Sequence, residues 1–255
     1  MKTFKSFISI VNLQTFVVII ISLIATYFCR IYGYTAKFPL TLIGIAVVFP
    51  LVFSINSAYK RRELALKHYA ILKGNGRAIY FASRDWIENP DPLKKLELKS
   101  CLEILFFEIN KFLHNKDKNR SDKPVLSALR KMSIAIKDFR TQGMPSGEVF
   151  RSNQYLSKMI ISFEEVKHIV QYRTPLILRA YSKIFINILP VIYGPYFADV
   201  TQGKSLGMAF ILPVLFSLIL VSLDNIQEHL ENPFDNVGED DVSINAHKFI
   251  EGLNS

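Results

Sequence analysis

The sequence is poor in the residues that build disulfide scaffolds and metal sites. Among 255 residues there are two cysteines, Cys29 and Cys101, and they fall on opposite sides of the topology predicted below. They therefore cannot pair within one chain, which excludes a disulfide scaffold and a thiolate metal site. The five histidines (68, 114, 168, 229 and 247) include no pair at the i, i+4 spacing that holds a metal on a helix. We expect neither a metal nor a cofactor.

Motifs for catalysis and for phosphate binding are also missing. No serine lies in a nucleophile elbow. The Gly74-Asn75-Gly76 segment follows no predicted strand and has no lysine partner, so we interpret it as a turn and not as a phosphate cradle. The lysines are spread along amphipathic segments, which indicates a solvated surface and not a nucleic-acid site. The sequence predicts a protein that is not an enzyme and binds no nucleic acid.

The composition combines a high apolar content with a large positive charge. Half of the residues are hydrophobic, the formal net charge is +9 and the mean hydropathy is +0.22. This is too apolar for an ordinary soluble domain and too charged for a protein wholly inside lipid, so we expect a membrane part and a basic, water-facing part. No stretch shows the alternation of a strand, and the whole chain is predicted to be helical.

The first sixty residues predict a helical hairpin through a bilayer. No charge occurs between Lys5 and Arg30, or between Lys37 and Lys60. The second stretch would make about 33 Å of helix, enough for a hydrocarbon core of about 30 Å. Lys2 and Lys5 before an apolar run resemble a signal peptide, but no small-residue cleavage site follows, which favours a retained helix. The basic cluster at 60–62 predicts a cytoplasmic end.

Residues 59–174 have the pattern of a water-soluble helical bundle. Apolar residues recur at helical spacing among many lysines and glutamates, and three polar segments that each contain proline (89–92, 115–124 and 143–147) separate the helices. The predicted apolar stripes are Leu98, Leu102, Leu105, Ile109 and Phe112; then Leu126, Leu129, Ile136 and Phe139; and then Leu156, Met159, Ile160, Phe163, Val166 and Val170.

A second apolar hairpin is predicted from Leu176 to Ala198 and from Leu206 to Leu223, joined by an outer loop. Arg179, Lys183 and Asn187 lie four residues apart on one face of its first helix. Charged residues inside a membrane are costly and often functional, but the uncharged core starts only after them. Snorkelling to the inner interface is therefore the favoured interpretation, and a functional role is the alternative.

The fold class that follows is an all-α, polytopic membrane protein with four transmembrane helices, a cytosolic helical bundle and both termini in the cytoplasm. The predicted segments are the first transmembrane hairpin (1–58), the bundle (59–174), the second hairpin (175–224) and a cytosolic tail (225–255). The tail has too few apolar residues for a core of its own, so we expect it to pack on the bundle or on a neighbouring subunit. Its acidic residues at 239–241 lack the spacing of a calcium loop, which favours a solvated turn.

Three motifs together resemble the bestrophin family over nearly the whole chain. The first is the tail after the last apolar helix, with Leu223-Asp224-Asn225-Ile226, Glu231-Asn232-Pro233-Phe234 and the acidic Glu239, Asp240 and Asp241. The second is Asn56-Ser57-Ala58-Tyr59-Lys60-Arg61 at the inner end of the second helix, and the third is Thr174-Pro175. Arg62 and Glu63 stand where the family usually has a tryptophan. The spacing to the acidic residues is longer than in animal members that bind calcium, so no calcium site is carried over.

The resemblance implies a homopentameric ion channel of the bacterial type, placed in the cell membrane, in bacteria the inner one. Its apolar neck would be lined by Ile45, Phe49 and Phe53 of the second helix, and a cytosolic constriction would lie near Val149. We expect passage of small anions such as chloride. The alternatives are a cation-conducting channel of the same fold, a membrane-anchored scaffold whose bundle binds a partner without conduction, and a small secondary transporter, for which no internal repeat is evident.

Overall fold

The structure of the chain is a computed structural model. It describes residues 11–37, 40–115, 117, 120–172, 176–203, 205–231, 233–234, 242 and 244–253, which contain nine helices and no strand. The helices are α1 (Leu13–Ile31), α2 (Leu40–Asp85), α3 (Pro92–His114), α4 (Lys123–Asp138), α5 (Ser146–Gln171), α6 (Leu176–Ile192), α7 (Gly194–Val200), α8 (Leu206–Glu231) and α9 (Ala246–Glu251).

The chain divides into two compact units. The first contains Met1–Lys60 and Arg173–Asn232, and the second contains Arg61–Tyr172 and Pro233–Ser255. Helix α2 contributes its first part to one unit and the remainder to the other. The finer domain boundaries given above stay a prediction.

The first unit packs α1 against α6, α7 and α8. The asparagine at the start of α1 closes a capping box: the Asn12 side chain accepts from the Thr15 amide at 3.1 Å, and the Asn12 amide donates to Thr15 Oγ1 at 3.3 Å. The core of this unit is apolar and contains Val18, Val47, Leu51, Ile186, Leu189, Tyr193, Phe197, Leu220 and Val221.

The predicted helix from Leu176 to Ala198 is interrupted in the structure. Helix α6 ends at Ile192, and the short α7 begins at Gly194 with Pro195 in its first turn. Proline is tolerated in a first turn but not in a continuous helix, so it favours the break. A Cβ on Gly194 would lie 3.3 Å from the Ala25 carbonyl carbon, which shows how closely α7 approaches the backbone of α1.

Two described helical stretches, Leu13–Ile31 and Ala209–Glu231, are long and apolar enough to cross a membrane by length and composition. The predicted count of four spans is therefore not confirmed and stays a prediction. Apolar side chains cover the outside of α1, where Leu13, Phe16, Ile20 and Ile24 are each more than half exposed.

The second unit is a helical bundle in which most of the predicted stripe residues are buried. All five residues of the first stripe on α3 are at most 4% exposed. On α4 the buried face runs through Val125, Leu129, Met132 and Ile136, whereas Leu126 is 43% exposed. A neighbouring residue is rotated by about 100° around a helix, so the prediction took the wrong member of the Val125–Leu126 pair. On α5 the predicted stripe contains both Met159 and Ile160. The same rotation between neighbours leaves Ile160 38% exposed, whereas Met159 is buried.

The predicted turn at Gly74-Asn75-Gly76 is wrong, because α2 continues through it to Asp85. The Asn75 side chain donates to the Ile71 carbonyl at 2.7 Å and so stays on the helix surface. Gly76 is buried where aromatic side chains approach α2: a Cβ there would meet Phe249 Cζ at 3.2 Å and Phe106 Cε2 at 3.4 Å. The glycine therefore serves packing and not chain reversal.

The described residues of the tail pack on the bundle of the same chain. Phe234 is fully buried, and the Val242 amide donates to the Pro233 carbonyl at 2.8 Å. In α9, Phe249 stacks on Phe106 of α3 with ring centroids 4.1 Å apart. The remaining motif residues Asn232, Glu239, Asp240 and Asp241, like Thr174 and Pro175, lie outside the described residues.

Candidate functional site

The predicted neck residues lie on one exposed face of α2. Ile45, Phe49 and Phe53 are 57%, 62% and 54% exposed, and the rings of Phe49 and Phe53 meet edge to face with centroids 4.7 Å apart. Other positions of the same helix, Val47 and Leu51, are buried in the core of the first unit. The structure thus brings the three side chains together on a surface that the protomer itself leaves uncovered.

The internal proline of α2 lies within this face. Pro50 has no amide hydrogen, so the carbonyl of Ala46 loses its helical partner next to Phe49. Further along, Ser57 Oγ donates to the Phe53 carbonyl at 2.9 Å. The missing amide hydrogen of Pro50 and this side-chain hydrogen bond both modify the backbone hydrogen bonding where the aromatic rings are carried.

The exposed face changes from apolar to polar at the end of the first unit. Asn56, Tyr59 and Lys60 follow Phe53 at helical spacing, and all three are exposed. Arg61 instead donates to the Ile169 carbonyl at 2.5 Å and so binds α2 to α5 inside the second unit. An ion or water molecule that moved along this face would leave aromatic rings and meet amide, hydroxyl and ammonium groups.

The residue predicted for the cytosolic constriction is part of a core. Val149 is 2% exposed and packs inside the second unit, so its side chain offers no surface to an aperture in this protomer. It lies in the first turn of α5, after a turn in which Gly143 has φ +86°. The exposed residue beside it is Phe150, at 64%.

The three polar residues noted on the first helix of the second hairpin have specific partners. Arg179 Nη1 donates to Glu231 Oε2 at 2.9 Å, and Asn187 accepts at 3.0 Å from the Gln14 side chain of α1. Lys183 is exposed beside Asp224 and interacts with it electrostatically. Because Arg179 is paired with Glu231, extension of its side chain to the membrane interface is not a sufficient interpretation.

The sequence did not lead us to predict the ion pair of Glu231 with Arg179. The sequence pattern placed Glu231 at the start of the tail motif, although the residue ends α8 and is 4% exposed. A usable signal was present: Asp224 and Glu231 are seven residues apart, two helical turns along one face. The described residues contain no group of three His, Cys, Asp or Glu side chains that could hold a metal ion.

Outside the first unit, the ion pairs between described residues lie on the surface of the bundle. Lys167 Nζ donates to Asp122 Oδ2 at 2.7 Å and joins α5 to the start of α4. The hydrogen bond from Lys167 holds the pKa of the Asp122 carboxyl below its ordinary value, and the same bond raises the pKa of Lys167.

Comparison with solved structures identifies the fold. A point mutant of a bacterial bestrophin homologue from Klebsiella pneumoniae matches 94% of this chain and 96% of its own, with a TM-score of 0.77 and 18% identity. Another mutant of the same homologue matches 98% and 97%, with a TM-score of 0.75 and 18% identity. A structure described only as a membrane protein matches 94% and 96%, with a TM-score of 0.79 and 17% identity. No family model matches the chain, and no curated protein does. The chain therefore has a bestrophin-like fold.

Proposed function

We propose that this chain with a bestrophin-like fold forms a homopentameric ion channel whose pore is lined by the exposed face of α2. One observation carries the proposal: Ile45, Phe49 and Phe53 lie uncovered on one face of a helix that buries other positions in its own protomer. The likeness to bacterial bestrophin homologues, which covers 94% or more of the chain, supports a channel of this fold. Five copies of the stripe around an axis would form a narrow apolar neck.

In this proposal the neck sets the barrier to ion flow. Rings of apolar side chains hold water poorly, so the constriction gates by dewetting, and rotation of the phenyl rings relieves it. The edge-to-face contact of Phe49 with Phe53 fixes the resting ring positions, and Pro50 loosens the backbone between them. No charged side chain lies between Lys37 and Lys60, so the neck has no fixed charge of its own.

Selectivity for small anions such as chloride is the finer part of the proposal. The edge of an aromatic ring carries partial positive charge, so an anion that passes the ring edges is penalised less than a cation. The exposed Lys60 at the inner end of the face and the net charge of +9 attract anions, within a screening length of about 10 Å at 0.1 M salt.

The membrane topology belongs to the same proposal. Residues of α2 before Lys60 and those of α6 with α7 would cross the cell membrane together with the two stretches at Leu13–Ile31 and Ala209–Glu231. Both termini and the second unit would be cytoplasmic, because the basic cluster follows the α2 span. A cytosolic constriction near the start of α5 would need the exposed Phe150, since Val149 is buried.

The decisive experiment is a planar-bilayer recording of the purified full-length chain under a potassium chloride gradient. We expect currents that reverse near the chloride equilibrium potential, and that change when chloride is replaced by a large organic anion. Reversal at the potassium potential rejects the anion assignment but leaves a channel. Absence of current, together with a monomer in native mass spectrometry, favours the non-conducting scaffold and overturns the proposal.

A further inference from the structure

A charged cavity lies between α6 and α8 in the first unit, away from the exposed face of α2. Its volume is about 210 Å³. It is lined by acidic, basic and amide side chains, namely Asp224, Glu228, Glu231, Arg179, Lys183 and Gln227. Three carboxylates and two cations leave the site with a net formal charge of −1. The proposed conduction path uses none of these residues.

The buried part of the cavity is rich in hydrogen-bond acceptors that have no donor. Glu231 is 4% exposed and Gln227 is 3% exposed, and Oε1 of each has no hydrogen-bond partner among the described residues. Asp224, one and two turns before them on α8, is 8% exposed. Buried acceptors are nearly always satisfied in folded proteins, so these two oxygens are suited to accept hydrogen bonds from a donor that enters the cavity.

A primary ammonium is a donor that fits this part of the cavity. It carries three N–H donors and one positive charge, which match the acceptors of Asp224, Gln227 and Glu231. A bare metal ion fits less well, because no three His, Cys, Asp or Glu side chains among the described residues are arranged to hold one.

The outer part of the cavity is suited to an anion. Lys183 is exposed there and carries a positive charge, and Nε of Arg179 has no hydrogen-bond acceptor among the described residues. Two cations of this kind bind phosphate well. The whole cavity therefore matches a group that joins a primary ammonium to a phosphate, as in phosphoethanolamine.

The position on the helices favours a lipid as the source of this group. Asp224, Gln227 and Glu231 lie in the last turns of the apolar stretch Ala209–Glu231. On α6, Ile177, Ile184 and Ile188 are each at least 46% exposed and provide apolar surface for acyl chains. We propose that the cavity binds the headgroup of a phosphatidylethanolamine lipid. The proposal rests on the membrane placement proposed above, but not on conduction.

The first test compares lipids that differ in one chemical feature. The full-length protein is reconstituted in nanodiscs of phosphatidylcholine alone, or with equal mole fractions of phosphatidylethanolamine or phosphatidylglycerol. Phosphatidylcholine has no N–H on its nitrogen, and phosphatidylglycerol has no cation. We expect only phosphatidylethanolamine to raise the thermal midpoint and to stay bound in native mass spectrometry. Equal effects of the three lipids overturn the proposal.

The second test uses variants with matched controls in the same unit. Gln227→Leu and Asp224→Asn should each lower retention of phosphatidylethanolamine about tenfold, because each removes an acceptor for the ammonium. The controls are Asp199→Asn, at the end of α7, and Gln202→Leu, in the turn that follows it. Both should leave retention of phosphatidylethanolamine unchanged. Losses of equal size in all four variants would indicate general destabilisation and would contradict the site.

A soluble ligand separates the lipid from a free metabolite. If glycerophosphoethanolamine stabilises the detergent-solubilised protein and phosphatidylethanolamine does not, the lipid assignment is overturned. A non-conducting protein that still selects phosphatidylethanolamine would overturn the channel and support this site. A conducting protein with no lipid preference would support the channel and overturn this lipid site.

Discussion

Phe49 and Phe53 meet edge to face on α2, with ring planes at 83°, while each leaves more than half of its surface uncovered. A contact of this kind orders two largely exposed side chains relative to each other, at a gain of about 1 kcal/mol. It couples the two rings, because rotation of one removes the edge contact of the other. In the proposed pore this coupling makes the two aromatic levels a single barrier.

Removal of either phenyl ring should therefore make ion flow through the proposed neck easier. Phe49→Ala and Phe53→Ala each widen the proposed neck and remove the pair contact, so we expect higher conductance or open probability in single-channel recordings. Because the rings act together, the double variant should give less than the sum of the two single effects.

The control for these variants is Phe16→Ala on α1. Phe16 is 57% exposed, close to the value for Phe53, but it lies on the apolar outside of α1. Its removal should leave the currents unchanged. Unaltered currents in Phe49→Ala and Phe53→Ala, or the same change in Phe16→Ala, would count against the neck.

The Arg179–Glu231 ion pair predicts an unequal response to its two single variants. The Glu231 side chain is 5% exposed and that of Arg179 is 32% exposed. Arg179→Met leaves a buried carboxylate without its cation and should cost about 3–5 kcal/mol. Glu231→Gln leaves a cation that reaches solvent and should cost less. Thermal midpoints in detergent would show this order, and a larger loss for Glu231→Gln would contradict the burial on which it depends.

The Asp122–Lys167 pair predicts a loss of stability in acid. Its hydrogen bond lowers the pKa of Asp122, so the contribution is present above the ordinary carboxyl pKa of about 3.9 and is lost as the pH falls through the folded value. Lys167 has a raised pKa, so the pair loses nothing until strongly alkaline pH. Asp122→Asn should cost at most about 1 kcal/mol at pH 7, because both side chains are partly exposed, and nothing once the pH is below the folded pKa of Asp122.

The control for the pH experiment is Glu88→Gln, an exposed acid with no ion pair among the described residues. Its thermal midpoint should follow that of the unaltered protein at every pH. A difference between Asp122→Asn and the unaltered protein that stays constant as the pH falls through the acid range would show that the carboxylate charge is not its cause.

Long regular helices were predictable from the sequence because periodic burial leaves a direct pattern. The α3 stripe from Leu98 to Phe112 is buried as predicted. The α4 register was not, since Val125 and Leu126 are equally apolar and only tertiary packing selects between them. The Arg179–Glu231 pair was also out of reach, because its partners are separated by 52 residues and no local rule joins them. The neck residues were indicated by family resemblance, and periodicity alone does not separate a pore face from a lipid face.

The two glycines of α2 provide a matched test of how the tail is held. Gly74 and Gly76 lie two residues apart within α2, and alanine is better than glycine by about 1 kcal/mol in a helix interior. A Cβ on Gly74 meets nothing within 4 Å, so Gly74→Ala should stabilise the protein by about that amount. A Cβ on Gly76 meets Phe249 at 3.2 Å and Phe106 at 3.4 Å, and overpacking of this kind costs about 1–3 kcal/mol. Gly76→Ala should therefore be neutral or destabilising, and it should increase amide exchange in α9. Equal gains for the two variants would mean that Phe249 moves aside freely and that its stacking on Phe106 does not fix α9 to the bundle.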